Sequence, residues 1–191
     1  MYIVNAVKLK YDMVLRVVIV ACCSFLLFSG SASAATLGMS ADSMVLSPGE
    51  TTTLRVLVNT EGVAINNAEA KLIFPTDLIE IVSTSKSNSV MTVWVEDPSF
   101  SNTAGTITFN SGIPTPGYIG TQGTILSIDV RAKKAGRAEF VFSNTAVRAN
   151  DGFGTNVLTS QSGIALTVFE ADATHSIVPA SVAALANTVG T

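Results

Sequence analysis

The sequence predicts an all-β protein, a nine-stranded antiparallel β-sandwich of jelly-roll topology preceded by a signal peptide. Three observations lead there. Short runs in which apolar and polar residues alternate follow one another from about Ala35 to about Glu170. Turn residues interrupt them every 8–15 residues or so, the spacing of sandwich strands. No segment combines sufficient length with a 3.6-residue apolar period, so no helix is expected. Composition agrees: charged residues make up 13% of the chain, against roughly 25% in an average soluble domain. Thr, Ser, Val, Ala and Asn take their place, which suits pleated, weakly charged surfaces.

Residues 1–34 are set aside from the fold. Lys8, Lys10 and Arg16 precede the apolar run Val17–Phe28, and Ala32-Ser33-Ala34 supplies a small-residue exit. Basic start, apolar middle and A-x-A end read as a secretory signal peptide cut between Ala34 and Ala35. The run, about 12 residues, is short of the roughly 20 that span a bilayer. Cys22 and Cys23 both lie inside it. An Ile19-Val20-Ala21-Cys22 lipid-attachment box is disfavoured by the apolar residues that continue after Cys22. The mature chain is thus expected to hold no cysteine, no disulfide and no thiol nucleophile. Cleavage removes three bases and one acid, taking the net charge from −3 to −5. Phosphate backbones need clustered Lys and Arg. The nearest cluster is Lys133-Lys134, in a turn, so nucleic-acid binding is not expected.

The strands follow in order, each with one set of side chains for the core and the other for solvent. Leu54, Val56 and Val58 alternate with Thr53, Arg55 and Leu57; Ala68, Ala70, Leu72 and Phe74 with Asn67, Glu69, Lys71 and Ile73. Ile107 and Phe109 alternate with Thr106, Thr108 and Asn110; Leu126, Ile128 and Val130 with Ile125, Ser127 and Asp129. Phe140 and Phe142 face away from Glu139 and Val141, and Ile164, Leu166 and Val168 from Ala165, Thr167 and Phe169. Ser47-Pro48-Gly49-Glu50, Thr60-Glu61-Gly62, the Pro- and Gly-rich stretch 112–123, Ala135-Gly136 and Asn150-Asp151-Gly152 supply the turns. The domain, residues 35–170, is long enough for a core without metal or disulfide. Phe74, Trp94, Phe109, Phe140, Phe142 and Phe169 are its expected large members. Residues 171–191 lose the pattern and read as a linker or disordered tail.

Catalytic chemistry is hard to assemble from these residues. The single histidine, His175, falls in the tail, away from any scaffold that could position it. Without a base on the domain there is no nucleophilic triad, and without His or Cys no metal centre of that type. Paired carboxylates remain, by residue type Glu80 and Glu96-Asp97. Consecutive strand residues point to opposite faces, so Glu96 and Asp97 converge only in a loop. Asn150-Asp151-Gly152-Phe153-Gly154 lacks the closing Glu of a calcium loop and reads as a turn. No catalytic residue, metal or cofactor is therefore expected.

Binding residues are easier to name. Trp94 alternates against Val93 and Val95, on the side of Thr92 and Glu96, which puts it on the more polar face of its strand. There it can anchor a protein or stack on a sugar, although Trp is also a frequent core residue.

Residues 37–169 as a whole resemble a cohesin domain, the receptor module of cellulosomal scaffolds. The segments Val45-Leu46-Ser47-Pro48-Gly49-Glu50-Thr51 to Val58, and Ala64 to Phe74, look like the family's opening turn and third strand. Phe74-Pro75-Thr76-Asp77-Leu78-Ile79-Glu80-Ile81 stands where the family has Tyr-Asp-Pro and a Leu-Glu-Ile strand. Gly123 to Val130 with Gly136, and Ala146–Asn156 before Ile164–Phe169, match the late strands in order. The resemblance implies a jelly-roll sandwich that docks a dockerin module through one exposed sheet face. Asn67-Ala68-Glu69 occupies the family's Asn-x-Asp position, with Glu for Asp. Asn67, Glu69, Lys71, Trp94, Thr106, Thr108 and Asn110 are the candidate partner-binding residues.

The expected protein is a secreted, extracellular or cell-surface module, monomeric, non-catalytic and free of the membrane once cleaved. Its partner is a dockerin-like protein module in polysaccharide degradation or surface assembly. Direct polysaccharide (carbohydrate) binding and an immunoglobulin-like structural spacer are the alternatives.

Overall fold

The computed structural model describes residues 35–170. The expected signal peptide up to Ala34, both cysteines, and the expected tail with His175 lie outside the described residues. Eleven strands occur: β1 Ala35–Ala41, β2 Val45–Leu46, β3 Thr51–Asn59, β4 Ile65–Ile73, β5 Ile79–Ser85, β6 Val93–Ser101, β7 Thr106–Gly112, β8 Gly123–Ala132, β9 Gly136–Ala149, β10 Leu158–Gln161 and β11 Ile164–Val168. They form a five-stranded sheet, β10-β1-β3-β8-β5, and a six-stranded sheet, β2-β11-β9-β4-β7-β6. No helix occurs among the described residues.

Two features of the expected sandwich need correction. Eleven strands replace nine, because β2 and β10 are two and four residues long and too short to show an alternation. The sheets are mixed, not purely antiparallel. β10 pairs with β1, and β2 with β11, in parallel. The reason lies in chain path. Segments 35–46 and 158–168 run side by side in one direction, and each passes from the five-stranded to the six-stranded sheet. Strand direction leaves no mark on local periodicity, so this pairing cannot be read from a single segment.

The core is the interdigitation of the two inner faces. Leu54, Val56 and Val58 of β3 and Ile128 and Val130 of β8 meet Ala68 and Leu72 of β4, Ile107 and Phe109 of β7 and Phe140 of β9; all are buried. Each large member contributes about 1.5–3 kcal/mol. Phe74 stacks on Phe140 with ring centroids 5.9 Å apart. Alternation slips where β3 and β8 change register between Val56 and Leu57. There Ile125, expected outside, is buried together with Leu126. Phe169 is 58% exposed, not a core residue, since β11 ends one residue before it.

A side chain closes one open edge. β5 borders the five-stranded sheet, with the Ile81 amide and carbonyl facing away from β8. Asn102, in the β6–β7 turn of the other sheet, accepts from the Ile81 N–H (2.7 Å) and donates to its C=O (2.9 Å). A carboxamide thus reproduces the pairing a further strand would make, and ties the two layers together.

Candidate docking face

The outer face of the six-stranded sheet brings six of the seven candidate residues together. β4 and β7 are hydrogen-bonded neighbours, with Glu69 opposite Asn110, Lys71 opposite Thr108 and Ile73 opposite Thr106. Period-two alternation sends Ala68, Ala70 and Leu72 inward. The same alternation sends Asn67, Glu69 and Lys71 outward beside Thr106, Thr108 and Asn110.

These side chains are bonded to one another across three strands. Arg148 of β9 donates to Asn67 Oδ1 (2.6 Å) and to Glu69 Oε1 (2.8 Å). Asn110 donates to the second Glu69 oxygen (3.0 Å), and Asn67 donates to Asn110 Oδ1 (2.7 Å) and the Ser111 carbonyl (2.8 Å). The result is a closed ring of four side chains. Glu69 and Arg148 are about one-third exposed (28% and 34%), enough removed from water for charge-assisted bonds to fix both groups. The bond to Glu69 holds the Arg148 guanidinium above its ordinary value, against the opposing effect of burial. Next to the ring, Thr108 donates to Glu96 Oε1 (3.0 Å) and shares a hydrogen bond with Ser99 (2.9 Å). Lys71, Glu96, Thr108, Asn110 and Asn144 border a shallow open depression whose floor includes Ala70 and Phe109. Such a surface presents fixed hydrogen-bond donors and acceptors on a nearly flat sheet.

Arg148 escaped the sequence reading. β9 runs to Ala149, but its register with β4 shifts between Lys71 and Leu72, so the alternation seen at Phe140 and Phe142 breaks off. The signal that remained was local: buried Val147 and Ala149 flank Arg148 in a fresh period of two.

Trp94 is corrected. It turns inward, edge-on to Phe109 with centroids 6.4 Å apart, while Val93 and Val95 are 47% and 74% exposed. Trp94 opposes the buried Ser111 of β7, and the register slips directly after it, so that Glu96 emerges outside opposite Asn110. Lys86 lies over the indole, Nζ 5.6 Å from the ring centroid. The residue closes the sandwich and takes no part in the outer face.

The remaining carboxylates are spread out. Glu80 pairs with Arg131 (2.6 Å) on the opposite sheet, and Asp97 with Lys86 (2.7 Å). Among the described residues no three His, Cys, Asp or Glu side chains come close enough to hold a metal ion. Asn150–Gly154 forms a turn in which Asp151 accepts the Phe153 N–H (2.8 Å).

Neither a family sequence model nor a curated protein sequence matches the chain. Solved structures do. A type I cohesin–dockerin complex from Clostridium thermocellum matches with a TM-score of 0.62 at 12% identity, over 73% of this chain and 96% of that one. The cohesin module of a family 33 glycoside hydrolase from Clostridium perfringens gives 0.59 at 9% identity, over 73% and 99%. A non-cellulosomal cohesin from the archaeon Archaeoglobus fulgidus gives 0.57 at 13%, over 72% and 92%. With two mixed sheets in this order and matches that span nearly the whole of each of these modules, residues 35–170 have the fold of a cohesin.

Proposed function

We propose that the protein is an exported, non-catalytic docking module, extracellular or at the cell surface, that receives a dockerin-type partner on the outer face of β4, β7 and β9. One observation carries this reading: the closed Asn67–Arg148–Glu69–Asn110 ring on a flat, half-buried sheet face. Groups already fixed in place lose little side-chain entropy when a partner covers them. Solved cohesins of this fold occur in complexes with dockerins, which supports the partner class. The Glu at position 69, where cohesins commonly carry Asp, lengthens the reach to the partner and gives this module its own preference. A role in polysaccharide degradation or surface assembly follows from that class of partner. Direct sugar binding loses its main support with Trp94 turned inward.

The test is calorimetric titration of the purified protein with dockerin modules from the same organism, with and without calcium. Binding should be calcium-dependent and lost in Thr108→Arg, which sets a bulky cation in the middle of the face. Retention of binding in Thr108→Arg, together with loss in a variant of the opposite sheet, would place the partner elsewhere.

A further inference from the structure

Phe153 is 91% exposed, more than any other large apolar side chain among the described residues. It stands at the tip of loop 150–157, between β9 and β10. The loop is tied down on both sides. Ala149 N–H donates to Thr155 O (2.9 Å), Val157 N–H to Val147 O (2.8 Å), and Asn156 Oδ1 accepts from Val147 and Leu158 (3.2 and 3.1 Å). Asn150 is bonded to Ala64 through its N–H (2.7 Å) and to Asn66 through its side chain (3.4 Å). At the tip, Gly152 (φ 76°) and Gly154 (φ 72°) adopt left-handed backbone that other residues resist. Just before them, Asp151 accepts from the Phe153 amide (2.8 Å). The ring is therefore presented on a built turn.

Its position links it to the docking face. Gly154 lies against the aliphatic stem of Arg148, where an added Cβ would sit 3.9 Å from Arg148 Cδ. Phe153 thus stands at the margin of the surface that carries Glu69 and Asn110. We infer that Phe153 is an aromatic anchor that enters an apolar pocket of the same protein partner that covers β4 and β7. The inference rests on the docking reading and adds the partner's chemistry: an apolar pocket beside a polar contact area. Interface energy concentrates in such aromatic anchors, and a ring held in place in advance costs little to order. A lipid surface fits less well, since residues 150–157 include an acid and no Lys or Arg to meet anionic headgroups.

The experiment uses the full chain in its own host, with a photo-crosslinking phenylalanine analogue at position 153 or at the exposed rim position 144. Both positions should label the same protein. With that protein purified, Phe153→Ala should weaken binding by roughly 10- to 30-fold at unchanged melting temperature. If position 144 labels a protein whose affinity Phe153→Ala leaves within about twofold, docking stands and the anchor falls. If neither position labels a protein, the docking reading fails and takes the anchor with it. Co-sedimentation with vesicles of phosphatidylglycerol and phosphatidylethanolamine that is lost in Phe153→Ala would assign the ring to a membrane instead.

Discussion

The two outer faces of the sandwich use the same residue types to different ends. On the five-stranded sheet the charges form separate units: Asp42–Arg55 (2.5 Å), Glu80–Arg131 (2.6 Å), and Asp129 accepting from Thr53 (2.8 Å) and Ser83 (2.7 Å). The two ion pairs are 36–56% exposed, where water screens them and each adds little to stability. On the six-stranded sheet, one cation, one carboxylate and two carboxamides close into a ring over three strands. Separate pairs keep a surface soluble and adaptable. A ring holds its members in one geometry, which is what recognition requires. The contrast is the ground on which docking is proposed for the six-stranded sheet.

The sharpest way to test this contrast is to separate the inside of the six-stranded sheet from its outside. Trp94→Ala should cost about 2–4 kcal/mol in denaturant unfolding, yet leave docking and polysaccharide-gel mobility unchanged. Retardation by polysaccharide that this variant abolishes would return the tryptophan to the surface. Arg148→Met keeps length and removes the cation. It leaves the partly buried Glu69 carboxylate short of a donor and should cost about 1–3 kcal/mol, with docking weakened as well. Arg131→Ala, on the other face, should change stability by no more than about 0.5 kcal/mol and docking not at all. Equal losses from Arg131→Ala and Arg148→Met would erase the distinction between the faces.

The smallest effect concerns pH. Hydrogen bonds from Thr155, then from the Phe153 amide, hold Asp151 below its ordinary value of 3.8. A depressed carboxylate supports the folded turn fully above that ordinary value and loses it as pH falls through the lower, folded one. Amide resonances of residues 151–155 should thus stay in their ordered positions from neutral pH to about 4 and shift only in stronger acid. A shift centred between pH 5 and 7 would contradict the Asp151 bonding.

Much of this was legible in the chain. β3, β4 from Asn67 onward, β7 and the first half of β9 each carry an unbroken alternation, and their inward residues are buried as the pattern requires. The same alternation put Asn67, Glu69, Thr108 and Asn110 on one face, because β4 and β7 are both regular where they pair. Legibility failed wherever a strand slips register. An extra residue at Ile125, the break after Trp94, and the shift in β9 each invert which side chains face in. The alternation around Trp94 consequently pointed to the polar face although its place among the core residues holds, and Arg148 was missed. Pairing direction failed for a different cause: β2 and β10 take their parallel places from long-range chain path.

The Asn102 carboxamide on Ile81 has a consequence beyond holding two layers together. A bare β-strand margin recruits any extended chain that drifts past, including a neighbouring copy. With the Ile81 amide and carbonyl already taken, this margin offers a visiting strand an interrupted row of partners. Asn102→Ala would reopen that margin, and sedimentation at rising protein concentration should reveal copies adhering to one another.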